Sequence, residues 1–221
     1  MIIGIGHKAR QGKDTAAELL NRKYGFIIIH FADALYEECK NCTILYSESD
    51  NVFYLKCYDE DYHPFKDPPE YIINWIKSNG NRESALLFNA EWIYKGMKDK
   101  DGTLLQFWGT EFRRKMVNWD YWVNKVKEVI DKEPDKDYVI PDARFKNEAK
   151  FIKNSGGEIW KVIRPGYKEI DRDPSHKSEV DLDDWEFDEA IINDGTIEQL
   201  CEKVDLAFKK RKKLYESKKD K

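Results

Sequence analysis

The segment Gly6-His7-Lys8-Ala9-Arg10-Gln11-Gly12-Lys13-Asp14-Thr15 has the residue types of a phosphate cradle. A polyphosphate needs inward-turned backbone N–H groups, a cation and a helix N-terminus directed at it. Gly12 permits close backbone approach, Lys13 supplies charge, and a helix begins there. Two later segments also concentrate cations and carboxylates: Gln106-Phe107-Trp108-Gly109-Thr110-Glu111-Phe112-Arg113-Arg114 and Pro141-Asp142-Ala143-Arg144-Phe145-Lys146-Asn147-Glu148. Open α/β sheets bind ligands beyond the carboxyl ends of their strands. The value of these side chains therefore depends on what precedes them.

Ile2 to Gly6 reads as a buried first strand, and Lys13 to Tyr24 as a helix with Ala16, Leu19, Leu20 and Lys23/Tyr24 at helical spacing and Gly25 to end it. Phe26 to Phe31 is a continuous apolar run, expected as a strand covered on both faces. Strand, loop, helix, strand is the βαβ pattern and favours a parallel sheet. In that context the loop resembles the P-loop, G-x-x-x-x-G-K-[ST]. It departs twice: His7 stands where the first glycine belongs, and Asp14 replaces the Ser/Thr that usually meets Mg²⁺, which leaves Thr15 or a water for that task.

Further along, the polar, aromatic and proline-containing stretch from Tyr46 to Gly80 shows no sustained period and reads as an insertion, placed at about 46–105. Helical spacing is expected over Ala85–Met97, Leu104–Met116 and Tyr121–Ile130. Tyr138-Val139-Ile140 reads as an inner strand ending at Pro141-Asp142, followed by a helix carrying Phe145, Ala149 and Ile152. Ile159–Ile163 is the next strand, and residues 167–188, strongly charged, are expected as an exposed arm. Ala190-Ile191-Ile192 and a closing amphipathic helix through Ile197, Leu200, Cys201, Val204 and Phe208 complete one domain over 1–221. Trp108, Trp119 and Trp122 suit core positions better than base-stacking platforms.

Composition bounds the partners. Hydrophobic residues make up 41%, charged residues 36%, and the net charge is −4, so no global field draws the chain to nucleic acid or anionic membrane. The basic run Lys209-Lys210-Arg211-Lys212-Lys213 sits where cations favour a helix C-terminus, and nucleic acid is not expected there. The opening lacks a signal peptide's basic and long apolar segments, and no later run approaches a membrane span, so a cytoplasmic location is expected. Cys39 and Cys42 have the C-x-x-C spacing, with Cys57 and His63 nearby, but a second tight ligand pair is missing and reduced buried thiols are the better reading.

An ordered set of motifs now stands out: Gly12-Lys13-Asp14-Thr15, Phe31-Ala32-Asp33-Ala34-Leu35, Gly109-Thr110-Glu111 with Arg114, and Asp120 with Trp122. Asp142-x-Arg144 with Asn147-Glu148, Arg164-Pro165-Gly166, His176-x-Ser178-Glu179 and Asn193-Asp194-Gly195-Thr196 continue it. The set resembles the bacteriophage deoxynucleoside monophosphate kinases in family order, with a gap at roughly 46–105. The resemblance implies an α/β P-loop NTPase three-layer fold: a parallel central sheet flanked by helices, an inserted and mostly helical substrate/lid region, and a lid at about 165–188. It also implies transfer of the ATP γ-phosphoryl group to a dNMP in deoxynucleotide biosynthesis, in a host cytoplasm if the chain is viral.

On this resemblance Lys13 meets the β/γ-phosphates, with loop N–H groups of Ala9, Gln11, Gly12, Lys13, Asp14 and Thr15 around ATP. Thr15 and Asp142 would hold Mg²⁺, while Arg114 and Arg144 would fork onto the monophosphate. Arg113 is as available as Arg114, which is chosen because the family motif has arginine there. Asp33 and Glu111 would orient those arginines or touch the sugar, and Arg10 and Arg172 would reach the transferring group under a closed lid. His176 and Glu179 belong to that lid, and Asn193 and Thr196 to the adenine. Duller alternatives are an i, i+4 pair between Arg144 and Glu148 and a capping role for His176 and Glu179. Rival readings are a P-loop kinase for another acceptor, such as dephospho-coenzyme A, and a nucleotide-gated DNA-associated ATPase. ATP and dNMP are the expected partners, and the aromatic insertion offers a surface for a homodimer.

Overall fold

In the computed structural model, residues 1–57, 60–79, 86–89, 102–167 and 177–219 are described. They divide into two compact units, residues 1–31 with 123–221, and residues 32–122.

The first unit is built on strand β1 (Ile2–Gly6), whose side chains alternate between two cores. Ile3 and Ile5 enter a cluster with Ala16, Ala17 and Leu20 of helix α1 (Lys13–Tyr24) and with Leu200, Val204 and Phe208 of helix α8 (Ile197–Lys219). Ile2 enters the opposite cluster with Val123 and Val126 of helix α5 (Tyr121–Lys132) and Ala149 and Ile152 of helix α6 (Lys146–Asn154). Gly4 lets α6 close onto the strand, since a Cβ there would stand 2.4 Å from Ile152 Cδ1. Helices on both faces of one sheet make three layers, as expected.

The sheet is parallel throughout. Its order is β2 (Ile27–Ile28), β7 (Tyr138–Ala143), β1, β8 (Glu158–Ile163), β9 (Glu189–Ile192). The chain crosses β1 between β7 and β8, and such a reversal of strand order opens a crevice at the carboxyl ends. β7 extends past Pro141, which cannot donate to the ladder. Its pairing with β1 slips by one residue between Gly4↔Ile140 and Gly6↔Ala143. That bulge sets Asp142 at the strand end, where its Oδ1 accepts from the Phe31 N–H at 3.0 Å.

Several expectations need correction. The apolar run 26–31 gives only a two-residue strand at the sheet edge, and helix α2 (Phe31–Lys40) begins where the strand was expected to continue. The inserted region, expected as mostly helical, carries a four-stranded antiparallel sheet in the second unit. Its order is β5 (His63–Lys66), β4 (Val52–Cys57), β3 (Cys42–Ser47), β6 (Leu86–Asn89). Its period-2 pattern was hidden because each strand is short and turn residues Glu48–Asn51 interrupt it, with Asn51 at φ 52°. β6 also occupies part of the helix expected over Ala85–Met97, the remainder of which lies outside the described residues.

Against the antiparallel sheet lie α3 (Glu70–Asn79), α4 (Gly102–Gln106) and a π-helical stretch, Phe107–Val117, with Trp108 and Trp122 inside the shared core. Cys39, Cys42 and Cys57 are buried free thiols in that core, and burial drives Cys57 up to about 12.

The charged arm expected at 167–188 is described from residue 177 onward, and that part is anchored by buried residues although several of its charged side chains stay exposed. Helix α7 (Lys177–Val180) buries Glu179, and Leu182, Trp185 and Phe187 join the α5–α6 side core. Apolar residues scattered among acids carry no periodic signal, which is why the docking was not visible in the sequence. At the other end, Lys209, Lys210 and Arg211 pair with Asp205, Glu189 and Glu158. Packing docks α8, because burying Leu200, Val204 and Phe208 is worth about 1.5–3 kcal/mol each, against about 0–1 kcal/mol for an exposed ion pair. No helix among the described residues is long and apolar enough to cross a membrane.

Candidate functional site

The loop between β1 and α1 folds back over the end of the sheet. His7 takes φ 79°, the left-handed conformation that a glycine at the start of such a loop adopts freely, and its N–H donates to Ala143 O at 3.1 Å. The strain of order 1–3 kcal/mol is offset by side-chain contacts. His7 Nε2 lies 2.6 Å from Asp183 Oδ1, and its ring meets Phe187 at 5.9 Å. Burial, the largest influence, holds the imidazole below its usual pKa despite Asp183.

Arg10 (φ 54°) and Gly12 (φ 104°) repeat the left-handed turn, so successive peptide groups of the loop change direction. Gln11 ties the loop to its surroundings. Its Oε1 accepts from Arg164 N at 2.6 Å, its Nε2 donates to Ala9 O at 3.2 Å, and its backbone O accepts from Asn193 Nδ2 at 2.8 Å.

Gly12 is required twice over. A Cβ would stand 2.7 Å from Asn193 Nδ2 and 3.0 Å from Leu200 Cδ2, on a backbone that L-residues rarely adopt. Gly12→Ala is therefore expected to destabilise the fold by about 1–3 kcal/mol and to weaken ATP binding. Thermal unfolding and an ATP titration on the variant check this, and unchanged values in both would dismiss the constraint.

Lys13 begins α1 and is only 6% exposed. Its ammonium donates to Lys8 O inside the loop. Desolvation lowers its pKa to about 8, Arg144 pushes the same way, and Asp14, Asp142 and Glu179 pull it back. These charges therefore share one neighbourhood at the ends of β1 and β7.

Arg144 leaves β7 and reaches Glu179 of α7, a carboxylate only 4% exposed, in an ion pair. The alternative i, i+4 pair with Glu148 does not form: Glu148 instead accepts from Arg144 N at 2.7 Å and Phe145 N at 3.0 Å, capping α6. The Arg144 guanidinium is thus held by a residue distant in sequence.

Of the other expected residues, Ala9 and Gln11 are buried in the loop, Asp14 is exposed and Thr15 is half-buried in the first turn of α1. Asn193 braces the loop through Gln11. Thr196 and Gln199 exchange hydrogen bonds at the start of α8, N–H to Oε1 at 2.9 Å and N–H to Oγ1 at 3.3 Å, which is a capping box. Arg172 and His176 lie outside the described residues.

In the second unit, Asp33 is exposed on α2, and Glu111 and Arg114 lie on the π-helical stretch. Glu111 pairs with Lys115 at 2.6 Å, while Arg114 is buried, with Nη1 donating to Trp119 O at 3.4 Å and the guanidinium 5.9 Å from the Trp119 ring. The structure separates Arg114 from its neighbour. Arg113 is enclosed by Trp108, Phe112 and Tyr121, and its Nε donates to Glu38 at 2.7 Å and Nη2 to Glu60 at 2.8 Å. Glu38, Glu60 and Asp183 were missed in the sequence because nothing local marks an acid as the partner of a distant base.

The family model described as deoxynucleotide monophosphate kinase matches residues 102–204, a span that includes Arg114, Asp142, Arg144, Glu179 and Asn193. A protein of Acanthamoeba polyphaga mimivirus, named provisionally as a deoxynucleotide monophosphate kinase, is 29% identical over 216 residues, 92% of this chain and 94% of that protein. The deoxynucleotide monophosphate kinase of Enterobacteria phage T4 is 34% identical over 67 residues, 30% of this chain and 27% of that one. A dephospho-CoA kinase from Campylobacter jejuni has a TM-score of 0.46 at 14% identity, over 95% of this chain and 96% of that chain, a likeness too low to bear on function.

Proposed function

We infer that the chain is a deoxynucleotide monophosphate kinase, a phosphotransferase that moves the γ-phosphoryl group of ATP to the phosphate of a dNMP, giving dNDP and ADP. The observation that carries the reading is the shared neighbourhood of Lys13 and Arg144, one in the phosphate loop and one within the family match.

The chemistry asks for little covalent help. A nucleoside monophosphate is mostly doubly ionised at neutral pH, with a second pKa near ~6, so its own oxygen is the nucleophile and no general base is needed. The difficulty is to hold two polyanions in line and to stabilise charge on the group in transit. Lys13 and the loop N–H groups from Ala9 to Thr15 take the ATP phosphates. Arg144 on the first unit and Arg114 on the second are each assigned to the monophosphate, and Asp33 and Glu111 to the sugar, since Glu111 pairs with Lys115 and Arg144 is held by Glu179. Arg10 is assigned to the transferring group; Arg172, expected there with it, lies outside the described residues. Asn193 and Thr196 are assigned to the adenine; Asn193 also braces Gln11 of the phosphate loop, and Thr196 caps the helix that follows.

Mg²⁺ fits the oxygens present. Thr15 offers a hydroxyl in the first turn of α1, and Asp142 offers a carboxylate close enough to Lys13 to raise its pKa. Mg²⁺ favours such sites, with one or two protein oxygens and the rest from phosphate and water. When bound, the ion neutralises charge on the β/γ oxygens. We place the enzyme in the cytoplasm, as a monomer or as a dimer through the inserted unit.

ADP formation with four dNMPs, four NMPs and dephospho-coenzyme A, each with MgATP, tests the reading. Turnover of at least one dNMP is expected. Turnover of dephospho-coenzyme A alone, or DNA-stimulated ATP hydrolysis with dNMP inert, would establish a rival instead.

A further inference from the structure

The second unit holds a buried ionic network that the phosphoryl-transfer chemistry does not itself use. Glu38, on α2, is 6% exposed and Arg113, on the π-helical stretch, is 2% exposed. Glu38 Oε2 accepts from Trp108 Nε1 at 2.9 Å and from Arg113 Nε at 2.7 Å, and Oε1 accepts from the Tyr121 hydroxyl. Arg113 Nη2 donates to Glu60 Oε2 at 2.8 Å. Burial first, and then the Glu38 hydrogen bond, push the Tyr121 hydroxyl up, so it stays a donor.

Trp108 and Arg113 stand five residues apart, yet both donate to the same oxygen. In an α-helix, residues five apart are separated by about 140° around the axis and would not converge there. In the wider turn of a winding closed by i→i+5 hydrogen bonds that angle is much smaller, and both side chains reach the same side. The Asn118 N–H to Arg113 O bond, at 2.9 Å, has this spacing. Such windings are uncommon and occur often at functional sites. The same stretch carries Glu111 and Arg114, and α2 carries Asp33.

We propose that Glu38 is a positioning residue for the acceptor nucleotide: its carboxylate gathers Trp108, Arg113 and Tyr121 and so holds Phe107–Val117 in the π-winding that aims Glu111 and Arg114. The proposal deepens the functional reading and rests on it. Relaxation to an α-helix rotates each side chain relative to its neighbours, so Arg114 no longer points where it did. An arginine beside the carboxylate also makes the arrangement costly to half-dismantle, since losing one partner strands the other's charge.

The test is steady-state kinetics on Glu38→Gln, which keeps the side-chain shape but removes the charge and one acceptor oxygen. The kcat/KM for the accepted dNMP is expected to fall by about 10²-fold, mainly through KM for the dNMP, with KM for ATP unchanged. Loss of folded material lowers kcat alone and leaves both KM values in place, so a merely structural role does not give this split. Trp108→Phe and Tyr121→Phe each remove one donor and spare the ion pair. They serve if Glu38→Gln does not fold, with the same one-sided rise in dNMP KM at smaller amplitude. Variants whose two KM values move together, or do not move, overturn the proposal while a dNMP-active wild-type enzyme leaves the functional reading standing. A wild-type chain that turns over no dNMP overturns both.

Discussion

Lys13→Ala is expected to abolish dNMP phosphorylation, by at least about 10³-fold, while leaving the fold intact. The side chain stands at the first residue of α1, after a loop with left-handed turns at His7, Arg10 and Gly12. A buried ammonium costs free energy to desolvate, and its lowered pKa of about 8 records that cost. A fold does not retain such a group for packing, so alanine relieves a burden on stability. Thermal unfolding should therefore show an unchanged or raised midpoint, with ADP release at background. A well-folded variant that works at full speed would remove the loop from the reaction.

Arg144→Ala and Arg114→Ala are each expected to cost about 10³-fold in kcat/KM, the scale of arginines that stabilise a transferring phosphoryl group. Arg144 is the stronger case. Its guanidinium is held by the buried Glu179 and its charge is felt by Lys13. Because alanine at 144 also breaks a buried ion pair, with a stability cost of about 3–5 kcal/mol, Arg144→Lys is the companion variant. It keeps a charge near Glu179 but cannot fork onto phosphate. Activity lost in both variants, with the lysine form stably folded, assigns Arg144 to the reaction. Losses below tenfold in kcat/KM reduce either arginine to an ion-pair or hydrogen-bond role.

Arg113 provides the internal comparison. It differs from Arg114 by one position and not at all in chemistry, yet it is committed to Glu38 and Glu60 while Arg114 contacts Trp119. Nothing in the local pattern distinguishes the two arginines; only the packing gives them different partners.

What the sequence by itself determined is local in origin. The apolar run Ile2–Gly6, the helix Lys13–Tyr24 with Gly25 behind it, the strand before Asp142 and the closing helix all appear where the pattern put them. Side-chain period and glycine placement act through backbone dihedrals and the choice of buried face, and both are written within a few residues. The positions of Lys13 at a helix start and of Asp142 at a strand end were legible for the same reason.

Only the tertiary structure decided the rest. Arg144 finds Glu179 across 35 positions and His7 finds Asp183 across 176, choices made by which strand ends the sheet brings together. Two side chains of the π-helical stretch meet a carboxylate on another helix, and the antiparallel sheet of the second unit forms by pairing between strands of four to six residues. A charge has no preferred partner in sequence. It takes one when folding lowers the dielectric around it and fixes which opposite charge lies in reach.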